Sequence, residues 1–196
     1  MLKPRRQLGF TLLELMIGIA IIALVLGLGI PTLQQWMQDS QNRRAAESIA
    51  NGLQMARSEA VGRNALVRFD LTNANGVADW KVTCVNDMPS CPTATPIRTY
   101  VSSGNARVGV SKIVVPAAPA PDPFAAAIAY TTELPAGVTF NGLGRVPTTN
   151  AGADITRIDV TADQGGKRFV VTVSNTGQVR MCDPSVKLSV TPQGCR

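Results

Sequence analysis

Residues 10–30 read FTLLELMIGIAIIALVLGLGI, an apolar run with a single charge, Glu14. At 1.5 Å per residue a helix of that length spans about 30 Å, the thickness of a bilayer's hydrocarbon core. Ahead of it stands MLKPRRQLG, with Lys3, Arg5 and Arg6. A basic flank of this kind stays cytoplasmic, so the rest of the chain is expected across the membrane. A secretory signal peptide would need an apolar stretch of about 7 to 15 residues and a small-x-small junction. This run is longer and passes through Pro31, Thr32 and Leu33 into a helical pattern. A plain anchor leaves Glu14 unexplained, because a carboxylate toward the middle of a spanning helix costs about 2 to 3 kcal/mol, less near an end, and calls for a partner.

Past the apolar run the helical period continues. Leu33, Trp36 or Met37, Ala45 or Ala46, Ile49, Leu53, Ala56 and Ala60 recur at three- and four-residue steps, with Gln34, Asp39, Arg43, Arg44, Glu47, Arg57 and Arg63 on other faces. The spacing predicts one helix from Phe10 to near Asn64, bent at Pro31 after Gly27 and Gly29. Residues 10–30 are its anchor half and 31–64 its amphipathic half, whose arginines read as a solvated face.

After Asn64 the period becomes two. Strands are expected over 65–71, 80–85, 97–101, 107–114, 126–131, 137–141, 155–161, 167–174 and 178–181. Turn signals separate them at Asn75-Gly76, Ser103-Gly104, Asn141-Gly142, Gly165-Gly166 and Thr176-Gly177. The fold class is therefore α+β, a long helix packed on an antiparallel β-sheet domain of residues 65–196. The run 115–125, with Pro116, Pro119, Pro121 and Pro123, reads as an extended surface loop.

The 196 residues leave room for one ordinary globular domain beside the helix. Histidine is absent, which excludes Ser-His-Asp, Cys-His and His-based metal chemistry. There is no P-loop, nucleophile elbow or carboxylate pair at a motif spacing, so neither catalysis nor a cofactor is expected. The formal charge is +6, but three of those charges are Lys3, Arg5 and Arg6. Residues 10–144 hold nine basic and nine acidic side chains, so the remaining positive charge lies beyond Gly144.

Gly9-Phe10-Thr11-Leu12-Leu13-Glu14, behind a basic leader and ahead of an apolar run, resembles the class III leader junction of type IV prepilins and type II secretion pseudopilins. The resemblance implies that residues 1–9 are a leader, cut between Gly9 and Phe10 by a prepilin peptidase that then methylates the Phe10 amine. It also implies a partner for Glu14, the positive N-terminus of Phe10 on a neighbouring subunit, met during assembly. An α-amino group with a pKa near 8 is mostly charged at neutral pH and would neutralise a carboxylate in lipid.

The run LQMARSEAVGRNALVRF at 53–69 is similar to the helix-to-strand region of the GspH, FimT and FimU group, matching in Ala56, Arg57, Ser58, Glu59, Ala60, Val61, Arg63 and Asn64. Glu59 and Arg63, four apart, also stabilise a helix end by a few tenths of a kcal/mol. Together the resemblances imply a pilin-like fold and a minor pilin of a type IV pilus. Such a subunit enters the filament through its N-terminal helix and serves assembly or initiation at or near the tip. Its implied partners are the major pilin, other minor pilins, the prepilin peptidase and the inner-membrane assembly platform. Its implied location is a single pass of the inner membrane with the C-terminal domain in the periplasm, then the cell-surface pilus. A GspH-like minor pseudopilin of type II secretion is an alternative.

The four cysteines, Cys84, Cys91, Cys182 and Cys195, allow three connectivities and show no Cys-x-x-Cys spacing. Beyond the inner membrane disulfides are the default. The pairing expected is Cys84 with Cys91 and Cys182 with Cys195, each closing a local loop worth about 2 to 3 kcal/mol. The second would pin the C-terminal tail, as in many pilins.

Finally, VVTVSNTGQVRMCDP at 170–184 is similar to a strand, turn and strand that carries Gly-Arg-x-Arg in FimT and FimU relatives. Gly177 and Arg180 match, while Gln178 replaces the first arginine. In FimT proteins of naturally transformable bacteria this region helps bind incoming DNA. The resemblance thus implies another alternative, a DNA-binding minor pilin for natural transformation. Its candidate contacts are Lys167, Arg168, Arg180, Lys187 and Arg196. Glutamine on a phosphate releases no counterion, and hairpin geometry alone explains the glycine. With Phe169 the only aromatic residue among these cations, DNA binding would be sequence-independent and salt-sensitive.

Overall fold

The computed structural model describes residues 10–115, 122–162 and 165–195, with backbone only at Leu26 and at 28–32. Residues 1–9, the expected leader with Gly9, the proline-rich stretch 116–121 and Arg196 lie outside the described residues. The chain divides into two units, one ending at Met37 and the other beginning at Gln38.

Helix α1, Leu12–Arg63, spans both units and keeps helical backbone through Pro31. Thr11 starts it. Its Oγ1 accepts the Glu14 backbone N–H at 3.2 Å, and its carbonyl accepts from Leu15 N at 3.2 Å. A threonine three residues ahead of a glutamate is the capping-box spacing, so Thr11 and Glu14 also cap the helix start.

In the first unit the large apolar side chains from Leu12 to Val25 are all exposed, between 53% and 77%. Among the described residues, no helix is long and apolar enough to cross a membrane. Leu26, Leu28, Gly29 and Ile30 of the apolar run have no described side chains, so the 10–30 span remains a reading of the sequence. Leu33, Trp36 and Met37, expected on the buried stripe, are exposed instead. The buried stripe begins at Asn42, in the second unit.

Within that unit α1 buries Ala46, Ile49, Leu53, Ala56 and Ala60 at three- and four-residue steps. Strands β1 (Val67–Leu71), β2 (Trp80–Cys84), β3 (Arg98–Tyr100) and β5 (Ala136–Phe140) form one antiparallel sheet in the order β3-β2-β1-β5. Strands β4 (Ala106–Ser111), β6 (Arg157–Ala162), β7 (Phe169–Val173) and β8 (Val179–Cys182) form another in the order β4-β6-β7-β8. Alternate residues of β1 and β2, such as Val67, Phe69, Leu71, Trp80 and Val82, turn inward. They meet the α1 stripe and Val108, Val110, Ile158, Val160 and Val171 of the second sheet in one core. A smaller cluster gathers Phe124, Val170, Cys182 and Cys195.

The α+β class holds, and the nine expected strands become eight among the described residues. Residues 126–131 do not pair as a strand. Their polar groups go to side chains of β6, to turns and to a single backbone bond with β4: Arg157 Nη2 donates to Ala126 O at 2.9 Å, Ile128 N to Asp159 Oδ2 at 3.1 Å and Thr131 N to Val108 O at 3.1 Å. Thr131 and Glu133 hold positive φ of 70° and 56°, which a ladder does not accommodate.

Small residues set how closely helix and sheet approach. A Cβ added at Gly52 would stand 2.8 Å from a Phe69 ring atom and 3.0 Å from one of Trp80. Gly52→Ala is therefore expected to destabilise the fold by about 1 to 3 kcal/mol despite alanine's better helix propensity, read as a lowered Tm. An unchanged or raised Tm would overturn this.

Candidate functional site

Three places carry the functional readings: the helix start, the helix end and the C-terminal basic region. At the start, Phe10 is 83% exposed and Glu14 is exposed. Among the described residues the Glu14 carboxylate has no hydrogen-bond or ionic partner, since the cap uses only its backbone N–H. A carboxylate one turn into an uncovered apolar helix can accept a cation from outside the chain.

At the helix end, the motif at 56–64 fastens loops to α1. Arg57 Nε donates to Gly144 O at 3.0 Å. Arg63 pairs with Glu59 at 2.6 Å and also donates to Ser90 O at 2.8 Å, inside the loop between Cys84 and Cys91. Asn64 ends the helix at φ 48°, a left-handed conformation that asparagine tolerates. Gly177 sits at φ 78°, and a Cβ there would run into Gly144 O and approach Arg57 Nε to 3.3 Å. Gly177 is thus required by this junction, where the 141–145 and 174–178 turns meet beneath Arg57.

In the basic region the candidate contacts are mostly committed. Arg168 Nη1 pairs with Asp159 Oδ2 at 2.7 Å, and its Nη2 donates to Phe124 O. Lys167 Nζ lies 3.3 Å from Asp183 Oδ2, and its backbone ties to Asp39 and Asn42 of α1 at 2.6 and 3.0 Å. Arg180 donates to Gly194 O at 2.6 Å. Lys187 is exposed, with no side-chain partner among the described residues, and Arg196 lies outside them. The five candidates therefore do not form a free cationic surface. The chain closes disulfides Cys84–Cys91 and Cys182–Cys195, seven and thirteen residues apart.

Two ion networks, one buried and one half-buried, were not anticipated. Asp159, fully buried, takes Arg157 at 2.6 Å and Arg168 at 2.7 Å, while Arg157 also stacks over Phe124 at 5.2 Å. Arg68 reaches Asp70 at 2.7 Å and Asp154 at 3.0 Å. Burial works against its charge, but Asp70 and Asp154 outweigh that and raise its pKa. Both networks contain an Arg-x-Asp triplet within a strand, which puts cation and anion on one face. That spacing was the available signal.

The profile of the family described as type II transport protein GspH matches residues 45–177. A prokaryotic N-terminal methylation motif matches residues 4–30. No curated protein matches the chain. Two crystal structures of the type IV minor pilin FimU of Pseudomonas aeruginosa strain PAO1 resemble it in fold. One has 20% identity, a TM-score of 0.45 and coverage of 79% of this chain and 99% of its own. The other has 18% identity, a TM-score of 0.48 and coverage of 82% and 99%. This likeness is too distant to bear on function.

Asp183 holds the C-terminal loop in a way that acid should reveal. Burial pushes its carboxyl up, but Ser185, through its hydroxyl and N–H, and Lys167 together bring it below the ordinary value. A carboxyl lowered on folding contributes stability above about pH 4 that is lost as pH falls through the lowered value. Thermal unfolding at pH 7 and pH 3 should show a smaller acid-induced drop in Tm for Asp183→Asn than for the parent. Equal drops would exclude this role.

Proposed function

Because the chain belongs to the GspH family and carries a methylation motif at its N-terminus, we propose that it is a minor pilin of a type IV pilus, acting in pilus assembly or initiation at or near the tip. The observation that carries the reading is the first unit's helix, apolar and uncovered from Leu12 to Val25, with an unpartnered Glu14 one turn from its start. Water is a poor solvent for such a surface, whereas lipid or a bundle of like helices covers it.

In this reading residues 1–9 are a leader that orients insertion, and cleavage after Gly9 frees the Phe10 amine for methylation by the prepilin peptidase. Residues 10–30 hold the subunit in the inner membrane, with the β domain in the periplasm. Docking on the assembly platform brings the Phe10 amine of one subunit against Glu14 of another. Each group offsets the other's desolvation, and an unmatched subunit keeps a lone carboxylate in an apolar medium. The pairing therefore sets axial register as well as affinity. The β domain then faces the major pilin and the other minor pilins, in a structural and not a catalytic role.

A minor pseudopilin of type II secretion is the second reading, favoured by the family's own description. DNA uptake draws less support, because Lys167, Arg168 and Arg180 already hold protein acceptors.

Glu14→Ala is expected to leave leader processing intact and to lower the subunit in sheared pili several-fold, measured by immunoblot against the membrane fraction. Normal incorporation would overturn the role of Glu14. Deleting the gene separates the two assembly readings. Loss of surface pili with secretion intact supports the pilus, and the reverse supports the pseudopilin.

A further inference from the structure

A groove of about 370 Å³ runs between α1 and the edge of the β3-β2-β1-β5 sheet. Its helix wall is a stripe, Arg44, Ser48, Asn51 and Met55, with Glu47 beside it, and its sheet wall is Arg98, Tyr100 and Trp80. The register explains the arrangement. Tyr100 lies opposite Trp80 and Arg98 opposite Val82, so both β3 side chains share the helix-facing side of the sheet.

The floor is rigid and apolar. Tyr100 stacks on Trp80 with centroids 5.5 Å apart and planes 17° from parallel, and Trp80 Nε1 is satisfied by Ser48 Oγ at 3.1 Å. The rim is cationic. Arg44 and Arg98 are exposed, and among the described residues neither guanidinium has a hydrogen-bond or ionic partner. Glu47, the carboxylate of the groove, is already held by Arg43 at 2.8 Å. The far edge of β3 carries no strand among the described residues, and all three of its residues are exposed.

We propose that this groove docks an acidic, extended peptide segment of a partner protein. The partner's carboxylates meet Arg44 and Arg98, and an intervening apolar side chain rests on Tyr100 and Met55. Charge complementarity carries the choice. Two unpaired guanidiniums on the walls of one groove suit carboxylates, which they bind through paired N–H donors. An open strand edge offers backbone groups that only a peptide can match in register. A nucleic acid strand fits less well, since its continuous phosphate charge would run past Glu47 and so small a groove seats few nucleotides. The groove's chemistry stands on its own residues. That the partner is another subunit of the same filament rests on the pilus reading above.

The test uses the full-length chain in detergent micelles and a fluorescein-labelled seven-residue peptide of alternating valine and glutamate, followed by anisotropy. The same peptide with glutamine for glutamate is the neutral control. The acidic peptide is expected to bind at least tenfold more tightly than the neutral one. Arg44→Gln with Arg98→Gln should abolish that preference without changing Tm, because both side chains are exposed and unpaired. Lys112→Gln with Arg145→Gln, an equal loss of charge elsewhere, should preserve it. The proposal is overturned if the peptides bind alike, if the acidic peptide does not bind, or if both double variants weaken it equally. It is also overturned if a single-stranded oligothymidine displaces the peptide and itself depends on Arg44 and Arg98. Binding is read on purified chain, so failure here leaves the Glu14 experiment untouched, and failure of that experiment leaves this one standing.

Discussion

The contact between the small-residue stripe of α1 and the ring pair Phe69 and Trp80 is the constraint on which the second unit depends. Gly52 admits both rings beneath the helix, and Ala46, Ala56 and Ala60 keep the helix backbone close to the sheets. Ile49 and Leu53 then fill the space between them, fully buried. Such packing tolerates little change of volume in either direction, because interiors are packed near crystal density. The ring pair's position in turn sets where Tyr100 stacks, and so where the groove beside β3 opens.

The end of the helix is a second organising point. Arg57 and Arg63 reach carbonyls in two separate loops, at Gly144 and Ser90, from positions nearly two turns apart. A guanidinium suits this work, since its several fixed donors can satisfy loop carbonyls while its stem packs on the helix. Arg57 holds the turn after β5, and Val146 N donates to Asn175 O at 3.2 Å to join that segment to the turn before β8, in the other sheet.

Much of this was legible in the residues. Periodicity located α1 to within two residues at each end, and alternation located eight strands, because one-sided burial leaves a regular trace along the chain. The segment 126–131 defeated the same rule. Its alanines and isoleucine alternate weakly, and the groups that fix it, Arg157 and Asp159, lie some thirty residues away. Leu33, Trp36 and Met37 failed for a different reason, since a helical stripe records that a face is apolar but not what covers it. At the candidate sites, the methylation motif over residues 4–30 was readable because its pattern is local. The commitment of Lys167 and Arg168 was not, since it depends on carboxylates that strand pairing and a distant turn bring alongside.

The two disulfides each lie within one short stretch of chain, and neither joins the helix to a sheet or one sheet to the other. Connectivity of the core therefore owes nothing to oxidation. The sheets can pack on α1 whether or not either loop is closed. Each bond constrains only its own short loop, so the joints between helix and sheet and between the two sheets rest on packing and hydrogen bonds alone.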